Sequence, residues 1–224
     1  ALMEAAAEGD EELMMTYLDT MELSQEEIIR GLNLGILSGD VTPVCCVAAL
    51  PNIGVCTLMN NLVHYMPTAD KAPIRPAVNA RTGEEVEIKR DGKFAAQIMK
   101  TVADPFVGKI SILKVYAGSI DATFSAYNPN AEKAEKSGTV YMMRGKNLIT
   151  VDKLCAGDIG AMAKLQFSNT GDTLTDAADP VKFAPIDFPD PCISLAVTAK
   201  KQGEEDKVFA GLNRLLEEDP TMQI

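Results

Sequence analysis

Apolar and polar residues alternate through residues 101–119, and this pattern predicts a buried β-strand. The apolar positions carry β-branched or aliphatic side chains, which favour strands: Val107, Ile110, Ile112, Leu113 and Val115. The alternation slips by one position between Ile112 and Leu113, which indicates either a bulge or a strand covered on both faces. Periodicity alone therefore predicts a core strand of a β-barrel and nothing more specific.

Helical spacing of apolar residues predicts four helices, at residues 10–19, 24–39, 55–66 and 204–217. Ser24 and Glu27 have the spacing of a capping box, in which each side chain satisfies a backbone donor of the other. The helix at 55–66 is closed by Pro67, which cannot continue a helix. These helices have no evident role beyond packing.

Strand patterns divide the rest of the chain. Residues 41–47 are almost continuously apolar, which is typical of a strand covered on both faces; with the following helix they form the layout of a doubly wound nucleotide fold. Residues 76–89 read as a hairpin, and the many short strands and Gly or Asp turns up to residue 175 predict a closed barrel. Residues 133–138 read as a charged, mobile loop, and residues 192–199 as a further strand.

Composition narrows the class of protein. The 224 residues are 46% apolar, and no apolar run approaches the length of a membrane span. The five cysteines show no CxxC spacing, which argues against a zinc site and favours reduced thiols in a cytosolic protein. The single histidine, His64, has no evident catalytic or metal-binding partners, so we expect a surface or packing role for it.

Charge is distributed unevenly along the chain. The net charge is −11, and residues 1–40 carry ten acids and one base, whereas residues 71–165 carry fifteen Lys or Arg against ten Asp or Glu. The basic middle segment fits either an ordinary mixed surface or a surface that meets a phosphate backbone. On the second interpretation, the candidate phosphate contacts are Lys109, Lys114, Arg144 and Lys146.

Several motifs carry a family resemblance. The run Ala-Asp-Pro-Phe-Val-Gly-Lys at 103–109, with Val-Tyr-Ala-Gly at 115–118, resembles the opening strand of the second domain of elongation factor G. Leu-Cys-Ala-Gly-Asp-Ile-Gly-Ala at 154–161 and Thr-Gly-Asp-Thr-Leu at 170–174 resemble the back half of the same domain. Residues 212–221 resemble the first helix of the third domain, and residues 13–19 and 26–35 resemble the close of the subdomain inserted into the GTP-binding domain.

The resemblance implies a middle segment of a larger, ribosome-associated translational GTPase that promotes translocation. The expected fold is multidomain and mainly β: the end of an α/β P-loop GTP-binding domain at 1–70, a second-domain β-barrel at 71–186 and the start of a ferredoxin-like α+β domain at 187–224. Because one strand and one helix cannot close the third domain, we expect that tail to be poorly anchored or docked elsewhere. The alternatives are a ribosome-protection or release-type relative, and a stand-alone RNA-binding barrel without enzymatic activity.

The same resemblance assigns a nucleotide contact and the partners. The family's fifth guanine-binding motif corresponds to Ala48, Ala49 and Leu50, and the backbone amide of its central Ala faces the guanine oxygen. Ala48 stands where the family usually has Ser, and this difference favours a divergent paralogue. GTP and magnesium are expected in the larger protein. The chain itself contains no GxxxxGK[ST] phosphate loop, so we expect it to bind no cofactor and to be inactive alone. The expected partner is small-subunit ribosomal RNA in the cytoplasm, with no role for DNA or a membrane.

Overall fold

A computed structural model describes residues 1–104, 106–136, 138–145 and 147–224 of the chain. These residues form two compact units, Ala1–Pro73 and Ile74–Ile224. Among the described residues, none of the helices has the length and apolar content that crossing a lipid bilayer requires.

The first unit is helical. Its helices are α1 (Leu2–Ala7), α2 (Glu11–Thr20), α3 (Gln25–Ser38) and α4 (Val55–Tyr65). The predicted capping box at the start of α3 is confirmed, since Glu27 N–H donates to Ser24 Oγ and Ser24 N–H donates to the Glu27 carboxylate. Gly31 brings α3 into close contact with α1, because a Cβ at this position would lie 2.0 Å from the Ala6 carbonyl oxygen.

The strand predicted at residues 41–47 is wrong. These residues run without strand pairing, and Val44 is 87% exposed. The nearest ladder is an isolated bridge between Ala48 and Ile53. An apolar run forms a strand only where a neighbouring strand supplies hydrogen-bond partners for its backbone. Among the described residues of the first unit there is no β-strand that could do so.

The second unit is a β-barrel domain built from antiparallel strands. The strands, in chain order, are β1 (Ala77–Asn79), β2 (Glu85–Val86), β3 (Ala95–Asp104), β4 (Gly108–Ala117), β5 (Ser119–Asp121), β6 (Ser125–Asn128), β7 (Lys133–Lys136), β8 (Val140–Arg144), β9 (Asn147–Thr150), β10 (Lys153–Cys155), β11 (Ile159–Ala163), β12 (Thr173–Thr175) and β13 (Val181–Phe183). Within the described residues, the largest sheet has the order β7-β6-β12-β3-β4-β11-β8-β9. Strands β13, β1 and β2 form a second sheet, and β10 pairs with β5.

The stretch predicted as one strand is instead a hairpin of β3 and β4. The Asp104 carboxylate accepts hydrogen bonds from the backbone N–H groups of Phe106 and Val107, both at 2.8 Å, and so closes the turn. The same two bonds, that from Val107 first, hold the pKa of Asp104 below its ordinary value. Pro105 lies outside the described residues.

The slip in the alternation corresponds to a real irregularity. Leu113 pairs with Ile98 and Ile112 pairs with Lys100, so the extra residue is Met99 on β3. Strand β4 is also covered on both faces. Leu113 and Val115 lie in the main core, whereas Tyr116 packs with Phe183 in a second cluster.

Two other predicted features need correction. The predicted mobile loop at 133–138 contains β7, which pairs with β6 from Ser125↔Lys136 to Asn128↔Lys133; Ser137 lies outside the described residues. The predicted strand at 192–199 is absent, and Ile193 and Leu195 are exposed. Both errors reflect pairing that local sequence does not encode, since a strand exists only with its partner.

The predicted C-terminal helix is present as α5 (Glu205–Glu218), and it contacts β3. The backbone N–H of Ala103 on β3 donates to Glu218 Oε1 at 2.5 Å. All of the residues of α5 are described and none is buried, so the helix lies on the surface of the second unit.

Candidate nucleic-acid interface

The predicted guanine-contact loop is a tight turn in the first unit. Ala48 and Ile53 exchange two backbone hydrogen bonds of 3.0 Å, and Asn52 N–H donates to Ala49 O inside the turn. Leu50 is fully exposed at its tip. Among the described residues, the Ala49 N–H has no hydrogen-bond acceptor, so it can donate to a bound group. The loop offers a backbone donor and no reactive side chain, and its nucleotide role stays a prediction.

The structure does not bring the four predicted phosphate contacts together. Lys109 and Lys114 lie five residues apart on β4, about 17 Å along the strand, and on opposite faces because side chains alternate. Arg144 is the exposed last residue of β8, two strands from β4 and towards the Lys114 end. Lys146 lies outside the described residues.

The Lys114 end is partly covered. The Lys114 ammonium lies 5.2 Å from the centroid of the Tyr116 ring, in a cation–π contact. Tyr116 itself is buried, and burial raises the pKa of its hydroxyl above the ordinary value. Lys114 therefore lies beside a buried ring, on the face of β4 opposite Lys109.

Lys109 belongs to a different group of residues, which the sequence analysis did not assemble. Lys109 Nζ donates to Asn169 Oδ1 at 2.9 Å, and the Lys109 carbonyl accepts from the backbone N–H of Lys164 at 2.8 Å. Lys133 Nζ lies 4.4 Å from the centroid of the Phe167 ring. We refer to Lys109, Lys133, Lys164, Phe167 and Asn169 as the basic loop cluster.

A buried carboxylate holds the loop of this cluster in place. Glu135 is 2% exposed, and its Oε1 accepts from Phe167 N–H at 2.6 Å and from Ser168 Oγ at 2.8 Å. Its Oε2 accepts from Gln166 N–H at 3.0 Å. Three donors compensate the desolvation of the charge, and they fix the loop against β7.

A second polar contact fixes the far side of the loop. The amide nitrogen of buried Asn128 donates to Ser168 Oγ at 2.9 Å and to Asp172 Oδ2 at 3.0 Å. Asp172 Oδ2 also accepts from Asn169 N–H at 2.9 Å. The β6–β7 hairpin and the 166–172 loop are therefore one hydrogen-bonded assembly, and the cluster is presented on a rigid support.

The cluster has the composition of a nucleic-acid surface. Lys133, Lys164 and Phe167 are exposed, and Lys109 is half-buried with its ammonium at the loop. Cations attract a phosphate backbone, and exposed rings stack on bases. Sequence reasoning found only Lys109, because the other residues join it through pairings that connect positions up to 60 residues apart.

The described ranges were also compared with the side-chain groupings that hold metal ions. No group of three or more His, Cys, Asp or Glu side chains in those ranges could hold a metal ion. His64 lies in α4 and is exposed.

Comparison with known proteins places this architecture in a family. A model of elongation factor G domain 2 matches residues 93–177, and a model of elongation factor G domain III matches residues 188–224. Together the matched segments make up more than half of the chain. A crystal structure of a protein from Thermus thermophilus superimposes with a TM-score of 0.76 at 27% sequence identity. That similarity covers 99% of this chain and 31% of the Thermus chain, so the chain spans about a third of that protein's length.

The barrel and the tail segment match consecutive domains of one family, in order, and the solved structure extends the similarity over nearly the whole chain. The chain belongs to the elongation factor G family.

Proposed function

We propose that this chain supplies the ribosome-docking barrel of a translational GTPase that promotes translocation during protein synthesis. The observation that carries the proposal is the basic loop cluster, rigidly presented on a barrel that matches elongation factor G domain 2. In the larger protein, GTP and magnesium would supply the hydrolytic chemistry. The turn at Ala48, Ala49 and Leu50 would contribute the Ala49 N–H to the guanine base.

The proposed partner is small-subunit ribosomal RNA. The chain carries a net charge of −11, so its overall charge repels RNA and attraction must come from a local surface. Lys109, Lys133 and Lys164 provide that surface. Each lysine that neutralises a phosphate releases condensed counterions, which makes the affinity depend on salt.

The proposal is tested by measuring the affinity of the chain for purified small ribosomal subunits between 50 and 200 mM salt. Three phosphate contacts predict a slope of about −2.1 to −2.7 in log K against log salt, which is about a 20- to 40-fold loss over that range. Lys109→Glu should weaken binding and flatten the slope, whereas Lys153→Glu, at an exposed position on β10 outside the cluster, should do neither. Affinity that does not change with salt, or equal effects of the two variants, would contradict the proposal.

A further inference from the structure

Phe167 is an aromatic residue that the fold keeps at the surface. Its side chain is 39% exposed, although Leu165 and Ser168 beside it in sequence are buried. The chain thus passes through the interior on both sides of Phe167 and turns the ring outward between them. Part of the ring is therefore accessible to a ligand at the surface.

The loop is built to hold that ring still. The N–H groups of Gln166 and Phe167 and the hydroxyl of Ser168 all donate to the carboxylate of Glu135. Burying a carboxylate costs several kcal/mol before its hydrogen bonds are counted, so a simple surface turn does not require one. A rigid support reduces the entropy that a contact residue loses on binding, which favours a recognition role for the loop.

The chemistry around the ring specifies the ligand. Lys133 Nζ lies 4.4 Å from the ring centroid, and Lys109 and Lys164 flank the same loop. Lysines alone suffice to hold the backbone of a duplex, in which every base is already stacked and its flat faces are hidden. A flat apolar ring among cations is complementary to a ligand that has both a planar aromatic group and a phosphate, and an unstacked nucleotide is such a ligand.

We propose that the Phe167 ring is a stacking platform for one unpaired base in the RNA that the basic loop cluster binds, and that the Lys133 ammonium, which lies over the ring in the free chain, moves to an adjacent phosphate when the base stacks. This inference rests on the proposed function and adds to it a structural requirement on the RNA. The bound segment carries a bulged, looped or flipped-out nucleotide, with its base on Phe167 and the neighbouring phosphates at Lys109 and Lys164. Because every base has a π face, the platform selects for an unpaired position and tolerates changes in sequence.

The experiment uses the whole chain and two RNA hairpins that differ only in one bulged 2-aminopurine. Stacking quenches 2-aminopurine fluorescence, so the wild-type chain should quench the bulged hairpin and bind it more tightly than the fully paired one. Phe167→Ala should abolish the quenching and weaken binding of the bulged hairpin about five- to tenfold, the lower part of the range for loss of one stacked base. Phe209→Ala removes an exposed ring on α5, outside the cluster, and should leave both signals unchanged.

Two additional measurements separate stacking from charge and from loss of folding. Phe167→Ala should keep the salt slope of wild type, whereas Lys109→Glu should flatten it. Phe167→Trp should restore quenching, and Phe167→Leu should not, because leucine has no π face. A circular dichroism melt of each variant confirms that the barrel is intact.

The outcomes divide cleanly. Salt-dependent binding of both hairpins with equal affinity and no quenching would overturn the stacking platform and leave the proposed function standing. Restoration of quenching by Phe167→Leu would also overturn it, because leucine has no π face and the quenching would then not come from stacking on residue 167. Absence of binding to both hairpins and to small ribosomal subunits at about 50 mM salt would overturn the proposed function and this inference together.

Discussion

Replacing Glu135 by alanine should destabilise the second unit by about 2–4 kcal/mol. The substitution leaves three donors without their acceptor: Gln166 N–H, Phe167 N–H and Ser168 Oγ. A hydrogen bond to a charged group contributes about 1.5–3 kcal/mol, so the gross loss is about 4.5–9 kcal/mol. Two effects reduce it: the desolvation of the buried carboxylate is removed, and water reaches the backbone of the exposed residues Gln166 and Phe167.

Urea unfolding followed by far-UV circular dichroism measures this loss, which is suitable because the chain contains no tryptophan. Lys136→Ala is the matched control, since Lys136 lies next to Glu135 on β7 and is exposed; its stability should change by less than about 0.5 kcal/mol. Glu135→Gln should also destabilise the unit, because its amide NH₂ faces donors rather than acceptors. A loss below about 1 kcal/mol for Glu135→Ala would refute the argument that this carboxylate holds the loop.

Three further predictions concern stability. Gly160→Ala should destabilise the chain by about 1–3 kcal/mol, because the added Cβ would lie 2.3 Å from a methyl carbon of Leu154. Gly211→Ala is the control: the added Cβ meets open space on α5, so this variant should stabilise the chain by about 0.5–1 kcal/mol. Urea midpoints compare the two variants, and equal effects would contradict the packing argument. Ser24→Ala should cost about 1 kcal/mol in the first unit, read from its thermal melt, and no change would exclude a working capping box. Burial raises the pKa of Tyr116, so its contribution to stability should be full below about pH 10 and fall as the pH rises above that value. Tyr116→Phe should therefore lose less stability than wild type between pH 9 and 11. Equal losses in the two proteins would refute the assignment.

Features with local causes were predictable from sequence. The capping box of α3 depends on two residues three positions apart, and α5 follows from the spacing of apolar residues within its own length. The β1–β2 hairpin is likewise a local pairing, with Ala77 opposite Val86. In each case the interacting groups are near neighbours in the chain.

Features that depend on distant partners were not predictable. Residues 41–47 and 192–199 have strand-like composition and no ladder, because composition does not supply a neighbour. Residues 101–119 were predicted as one strand, although they contain the turn between β3 and β4 that Asp104 closes, since alternation continues across that turn. The extra residue, Met99, lies on the opposite strand from the slip that signalled it.

In the candidate site too, the sequence identified local features and missed contacts between residues far apart in the chain. The sequence singled out Lys109 and Lys114 as equals on one strand, but strand alternation places them on opposite faces. Lys133 and Phe167 approach each other where Glu135 ties β7 to the 166–168 loop, a contact across more than thirty residues of sequence. Charge counting finds a basic segment, and only the fold determines which of its lysines share a surface.

The most direct test of the account compares the two ends of the barrel. One variant reverses the charges of Lys109, Lys133 and Lys164, and the other reverses those of Lys114 and Arg144. Binding to small ribosomal subunits is then measured over a salt series. The account predicts that the first variant lowers the magnitude of the salt slope by about 2–3, while the second leaves it near the wild-type value. A slope that falls only in the second variant, or equally in both after allowing for the number of charges, would contradict the claim that the basic loop cluster is the RNA-docking surface.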